Sequence, residues 1–305
     1  MIIQPLPLTP GDQVGIMCPA GFMTKERTDA CVQQLNQWGF NAVLGETLNS
    51  RSENYFSGTD QERASDLQRM LDDEALQAIL FGRGGYGMSR IIDRLDFTQF
   101  LKRPKWIAGY SDITVLLAHL YSRYGIASLH SPMAGAFQDY PADTIYLPHL
   151  RGMFTGGVMQ YEANTDKWNR IGEATGPLVG GNLALFTHLI GSRSFPDLNG
   201  AILFLEDVGE QLYNIDRMLR QLKRGGYLER LSGLIFGGFT ECKDTDRPFG
   251  QSVQEILESV IDEYTFPVCF DFPVGHTEQN YPLKYGVRCR LTVSEHNALL
   301  QEIIG

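Results

Sequence analysis

The chain has 305 residues, 43% of them hydrophobic, and carries 26 lysines and arginines against 36 aspartates and glutamates, a formal net charge of −10. Its length exceeds that of a typical single domain, so two domains sharing a cleft are expected. The acidic balance, with no block of basic residues, argues against a nucleic-acid partner held by phosphate neutralisation.

The opening MIIQPLPL lacks a basic segment leading into a long apolar run, and no stretch is long enough to span a membrane. A cytoplasmic protein with no membrane partner is therefore expected. Residues 13–20 (QVGIMCPA) predict a buried strand, 24–38 a helix and 41–45 (NAVLG) a second strand. A helix with a solvated acidic face follows at about 60–72, and strand 76–82 runs into a glycine loop. Strand 105–110, its helix, and a fifth strand near 126–130 complete the series. This alternation predicts right-handed crossovers and a mostly parallel, doubly wound α/β sheet over residues 1–150. Residues 151–176 read as an interdomain crossover. From 177 to 305 a smaller, β-rich domain is expected, with a helix opening at Gly180-Gly181-Asn182, a strand at 200–205, and a helix at 213–224. Further strands are expected near 234–239, 268–272 and 288–294. Five scattered cysteines (Cys18, Cys31, Cys242, Cys269, Cys289) form no Cys-x-x-Cys pair and suit reduced thiols.

The richest stretch for chemistry is Lys105 to Leu117, where Gly109-Tyr-Ser-Asp112 puts Ser111 at the corner between strand and helix. The amides of a first helical turn and the helix dipole favour the charge that a tetrahedral acyl intermediate develops. The corner resembles a nucleophile elbow, although Ile113 replaces the second glycine of the usual spelling. Ser111 or Asp112 acting only as a helix cap is the competing reading. Gly82, Gly84 and Gly87 satisfy the dinucleotide Gly-x-Gly-x-x-Gly spacing, which keeps a nicotinamide or flavin oxidoreductase in contention. Against it, the loop follows the third strand and contains Arg83. The loop's other role is to aim an amide, for instance that of Gly85, at Ser111.

Strand 201–205 ends in Glu206, Asp207 and Glu210, and Glu206, abutting the apolar run, is the better candidate to orient a histidine. Of six histidines, His119 and His188 fall in helical patterns, while His149 and His296 sit in polar contexts. His130 and His276 end strands, where catalytic residues concentrate. No histidine pair has metal-ligand spacing, so no metal is expected.

Taken in order, PLTPGDQVGIMCPA (7–20), Gly82-Arg-Gly-Gly-Tyr-Gly87, Gly109-Tyr-Ser-Asp-Ile-Thr114 and Leu205-Glu-Asp with Tyr213-Asn-Ile-Asp-Arg217 resemble the serine LD-carboxypeptidases of peptidoglycan recycling. Gly180-Gly-Asn-Leu183 and Val274-Gly-His276 extend the resemblance over essentially the whole chain. It implies a Ser111–His276–Glu206 triad in an interdomain cleft, an oxyanion hole from the Gly85 and Asp112 amides, and no cofactor. It also implies a homodimer and hydrolysis of the L-to-D bond before the terminal D-alanine of a muropeptide tetrapeptide. Arg83, Tyr110, Trp168 and Asn182 are the expected substrate contacts. His130-Ser131-Pro132 departs from the family, whose members often carry glycine before the proline. A sister group cleaves peptidyl-nucleotide antibiotics of the microcin C type, where Trp168 would stack a base. A muropeptide-binding module without turnover is a further alternative.

Overall fold

The structure is a computed structural model that describes residues 2–50 and 52–304. The chain divides into two compact units, one running to Gly157 and including Tyr281–Lys284, the other formed by Val158–Asn280 and the segment from Tyr285 onward.

The first unit alternates strand and helix: β1 (Gln13–Met17), α1 (Lys25–Gln37), β2 (Asn41–Leu44), α2 (Asp60–Asp72), β3 (Leu76–Phe81), the short α3 (Met88–Ile91), β4 (Trp106–Gly109), α4 (Thr114–Tyr124), β5 (Ser128–His130) and α5 (Tyr146–Phe154). β1 pairs in parallel with β2 on one side and β3 on the other, and β4 and β5 follow outward from β3. Central strands buried on both faces need unbroken apolar runs, which is how Ala78–Phe81 and Trp106–Ala108 read. Two of the helices, α1 and α2, start on side-chain caps. Thr24 accepts from the Arg27 amide, and Thr59 and Glu62 form a reciprocal capping box at α2. Strand order reverses between β1 and β3, the topological switch point beside which ligands bind in open α/β sheets.

The second unit contains β6 (Gln160–Asn164), β7 (Gly172–Asn182), α6 (Leu183–His188), β8 (Ile202–Val208), α7 (Leu212–Arg224), β9 (Gly233–Thr240), α8 (Val253–Ile261), β10 (Val268–Cys269), β12 (Arg288–Val293) and β13 (Asn297–Glu302), while β11 (Leu283–Tyr285), most of it in the first unit, lies beside β5 in the first sheet. β7 serves two neighbours. Gly172–Pro177 runs antiparallel to β12, and Leu178–Asn182 runs parallel to β8. The β6–β13–β12 part alternates buried and exposed residues, as a sheet wetted on one face must.

Several expectations shift. Residues 151–176, expected as a crossover, hold the end of α5, all of β6 and the start of β7. The strand expected over 268–272 stops at Cys269, because Asp271 takes a left-handed backbone (φ 53°) and ends the pairing. No helix among the described residues is long and apolar enough to cross a membrane.

Leu67 packs at the centre of the buried face of α2. Leu67→Ala is expected to destabilise the fold by about 2–5 kcal/mol, the cost of lost burial plus the residual cavity. A urea unfolding midpoint that stayed at the wild-type value would contradict that packing.

Candidate active site

In the first unit, three loops at the carboxyl ends of the strands converge. The amide of Gly82 donates to the carbonyl of Met17 at 2.7 Å, and that of Gly21 donates to the carbonyl of Gly84 at 3.0 Å. The turn after β4 meets the same loop, so closely that a Cβ on Gly84 would stand 2.9 Å from Ser111 Cβ and 3.1 Å from its Oγ. Only glycine fits there. Ser111 itself has φ 62°, a left-handed conformation that a non-glycine residue holds only when its surroundings impose it. A strained serine at a strand-to-helix corner is the geometry of a nucleophile elbow. The tight turn Ser111–Ile113 opens from Tyr110 in the cap position, so Ser111 stands inside the turn rather than at its cap.

Asp112 is fully buried, and its Oδ2 accepts from the Met88 amide at 2.7 Å. Burial pushes its carboxyl up to about 6, against the pull of the Met88 and Gly87 amides and the charge of Arg63. Among the described residues, no backbone acceptor takes the amide of Gly85 or of Asp112. The glycine loop opens only the four-residue α3, too short a helix to support a pyrophosphate in the dinucleotide manner.

In the second unit, Glu206 lies near the end of β8 with 0% exposure. Leu205 pairs with Phe236 and Asp207 with Phe239, so Gly237 and Gly238 of β9 together face the single residue Glu206. This bulge admits the segment after β10. Gly238 donates to the carbonyl of Val274 at 3.0 Å, and a Cβ on Gly237 would lie 2.6 Å from that oxygen. Gly275 (φ 101°) then passes directly over Glu206, where a Cβ would meet Oε2 at 2.5 Å. That close approach presents His276, whose amide donates to Glu206 Oε2 at 3.2 Å and whose Nδ1 donates to it at 2.7 Å. The acceptor-only carboxylate fixes the tautomer and leaves Nε2 as the ring's second nitrogen. Burial works against protonating His276, but the charge and hydrogen bond of Glu206, with Asp207 and Glu241 behind it, hold its pKa above the ordinary value.

The remaining candidates are placed as follows. Glu210 is engaged by the Asn214 side chain at 3.0 Å, whereas Glu206 holds the histidine. Asn182 is buried, capping α6 at the Leu185 amide and donating to Asp207 Oδ1 at 2.8 Å. Trp168 lies on a turn closed by Asp166, with the Lys167 ammonium 5.1 Å from its ring centre. His130 is fully buried, its ring 5.8 Å from that of Tyr110. Arg83, which donates to the carbonyl of Phe22 at 3.0 Å, and Tyr110 line a pocket of about 300 Å³ with Arg27, Met133 and Asp139. Two residues that the motifs did not single out stand beside the glycine loop: Arg63, and Tyr55, whose hydroxyl would be 2.6 Å from a Cβ on Gly85. Both belong to the stretch YFSGTDQER (55–63), which has no conventional chemical spelling. Among the described residues no cluster of three or more His, Cys, Asp or Glu side chains is placed to hold a metal ion.

Because the Glu206 charge supports the protonated ring, Glu206→Gln is expected to lower the His276 pKa, read from the imidazole signals in an NMR titration. An unchanged midpoint would show that the two side chains are not coupled in solution.

Models of the LD-carboxypeptidase N-terminal and C-terminal domains match residues 14–131 and 175–291. A probable murein peptide carboxypeptidase of Bacillus subtilis is 32% identical over 303 residues, covering 98% of this chain and 94% of its own. Muramoyltetrapeptide carboxypeptidase from Oxalobacter formigenes has a similar structure, with a TM-score of 0.86 at 27% identity over 95% of this chain and 98% of that one. The microcin C7 self-immunity protein MccF in complex with aspartyl sulfamoyl adenosine gives 0.87 at 26% identity over 99% of both chains. The matched regions carry Ser111 in one and Glu206 and His276 in the other, and the chain belongs to the LD-carboxypeptidase family.

Proposed function

We propose that this protein is a serine carboxypeptidase that removes the terminal D-alanine from muropeptide tetrapeptides by cutting an L-to-D peptide bond. The observation that carries the reading is the Glu206–His276 pair at 2.7 Å, in a chain whose strained elbow offers a serine. Ser111 Oγ attacks the carbonyl while His276 Nε2 takes its proton. Glu206 holds the ring in that tautomer and stabilises the imidazolium. The amides of Gly85 and Asp112 receive the charge on the tetrahedral oxygen. His276 returns the proton to the departing amine, and water, activated by the same ring, releases the acyl group from Ser111.

The pocket lined by Arg83 and Tyr110 is assigned to the leaving D-amino acid, a small residue whose carboxylate suits a guanidinium. The Asn182 side chain is committed to α6 and Asp207, which argues for a supporting role rather than a substrate contact. All five cysteines are free thiols, which supports action in a reducing cytoplasm on wall fragments recovered for recycling. The match to MccF over the full length of both chains supports a second reading, cleavage of an aminoacyl sulfamoyl nucleoside by the same residues.

The test is mass spectrometry of the protein incubated with a muropeptide tetrapeptide, and separately with aspartyl sulfamoyl adenosine. Loss of one alanine from the peptide is expected. Cleavage of the nucleoside alone would favour the second reading. Ser111→Ala should lower turnover by roughly 10⁴-fold or more while leaving the urea midpoint nearly unchanged. A variant that still released D-alanine at the wild-type rate would remove Ser111 as nucleophile. The base must be neutral to act, so kcat/KM should rise with pH through a midpoint above the ordinary histidine value of 6.5. A midpoint below it would contradict the raised pKa.

A further inference from the structure

Arg63, on the first turn of α2, is a cation with 0% exposure, and apart from a pairing with Asp60 of its own helix its hydrogen bonds go to loop carbonyls around the serine elbow. Its Nη1 donates to the carbonyl of Pro19 at 2.5 Å and to that of Gly87 at 3.2 Å. Its Nε donates to the carbonyl of Gly58 at 3.2 Å, its Nη2 pairs with Asp60, and the Phe56 ring lies 4.8 Å from the guanidinium carbon. A buried charge is tolerated only when its donors are satisfied in this way. The Gly87 contact has a counterpart. The same peptide unit that offers its carbonyl to Arg63 offers its N–H, that of Met88, to Asp112 Oδ2 at 2.7 Å. A Cβ on Gly87 would stand 2.6 Å from Nη1, so glycine is what lets the guanidinium reach this peptide.

One peptide plane is thus gripped by a buried cation on one edge and a buried carboxylate on the other. Gly85 lies two residues before it in the same loop, and the carboxylate belongs to the residue whose own amide is the second donor assigned above. The grip therefore ties one amide to the other through a single side chain and one peptide. We infer that Arg63 is a positioning residue for transition-state stabilisation, setting through the Gly87–Met88 peptide the spacing of the Gly85 and Asp112 amides. This rests on the oxyanion role proposed for those amides. A lysine keeps the charge but cannot span carbonyls of three loops with a planar fork. Donors displaced from the developing oxyanion stabilise it less, while ground-state binding is little affected.

The experiment compares wild type, Arg63→Lys and Leu67→Ala, the last being a core lesion on the same helix, for urea midpoint, kcat and KM on a muropeptide tetrapeptide. It also measures inhibition by a peptide boronic acid, whose tetrahedral adduct with a serine places an oxygen where the oxyanion would form. For Arg63→Lys, kcat is expected to fall 10- to 100-fold with KM within threefold, boronate affinity to fall by a similar factor, and the pH midpoint of kcat/KM to stay in place. Leu67→Ala should lower the urea midpoint with kcat per folded molecule within twofold. A wild-type kcat in Arg63→Lys, or a loss of kcat matched by Leu67→Ala at equal destabilisation, would overturn the inference. Should Arg63→Lys not fold, Asp60→Asn, which removes the carboxylate partner but keeps the guanidinium, gives the reading. A three- to tenfold loss of kcat at unchanged KM supports the inference, and an unchanged kcat overturns it. A wild-type protein that releases no D-alanine would instead refute the proposed function.

Discussion

A carboxylate with no exposed surface, at the end of a central parallel strand, is the constraint around which the second unit is arranged. An unpaired Glu206 would cost several kcal/mol, so its surroundings must bring donors to it. They do so through backbone made unusually thin: the bulge at Gly237–Gly238 and the left-handed Gly275 let a whole segment descend onto the carboxylate. The amide and the ring of His276 then satisfy the same oxygen. A buried acid that needs hydrogen bonds and a histidine that needs an orienting partner solve each other's problem. The raised His276 pKa records the coupling.

The first unit stores a different kind of tension. Ser111 is bent into a conformation that serine avoids, and the close contact with Gly84 and the buried hold on Asp112 keep it there. The location follows from topology. Loops from β1, β3 and β4 leave the sheet at its switch point on the same side, so their ends meet without any long excursion. Backbone amides placed by such packed loops need not reorganise when charge appears, which is the condition for electrostatic stabilisation of a transition state.

Much of this was legible in the chain. Strand and helix alternation through residue 130 follows from short apolar runs separated by helical segments, and the five strands with helices α1, α2 and α4 appear within a few residues of their expected places. Glu206 could be ranked above Glu210 because it abuts the buried run, and the structure pairs it with His276. What escaped has identifiable causes. α8 went unnoticed although Ser252 and Glu255 spell its capping box, because the preceding polar loop masks the onset. β6 and β13 are short strands with only two buried residues each, Tyr161 and Ala163 in one and Ala298 and Leu300 in the other, too few alternations to stand out from a polar loop. The helix expected to open at Asn182 is α6, but a helix-opening asparagine gives no sign in sequence that its side chain is tied to the Leu185 amide and Asp207. Arg63 was invisible because a buried arginine has no signature distinct from the many solvated arginines of an acidic surface helix.

The triad proposed above has Ser111 activated by His276, whose ring partner is Glu206, although the three residues lie far apart in sequence. The most direct measurement is the rate at which an alkyl fluorophosphonate modifies the protein, with the site located by peptide mass mapping. Modification of Ser111, at a rate that falls at least a hundredfold in His276→Ala, is the predicted result. Label on another residue, or labelling of Ser111 at the same rate without His276, would contradict it.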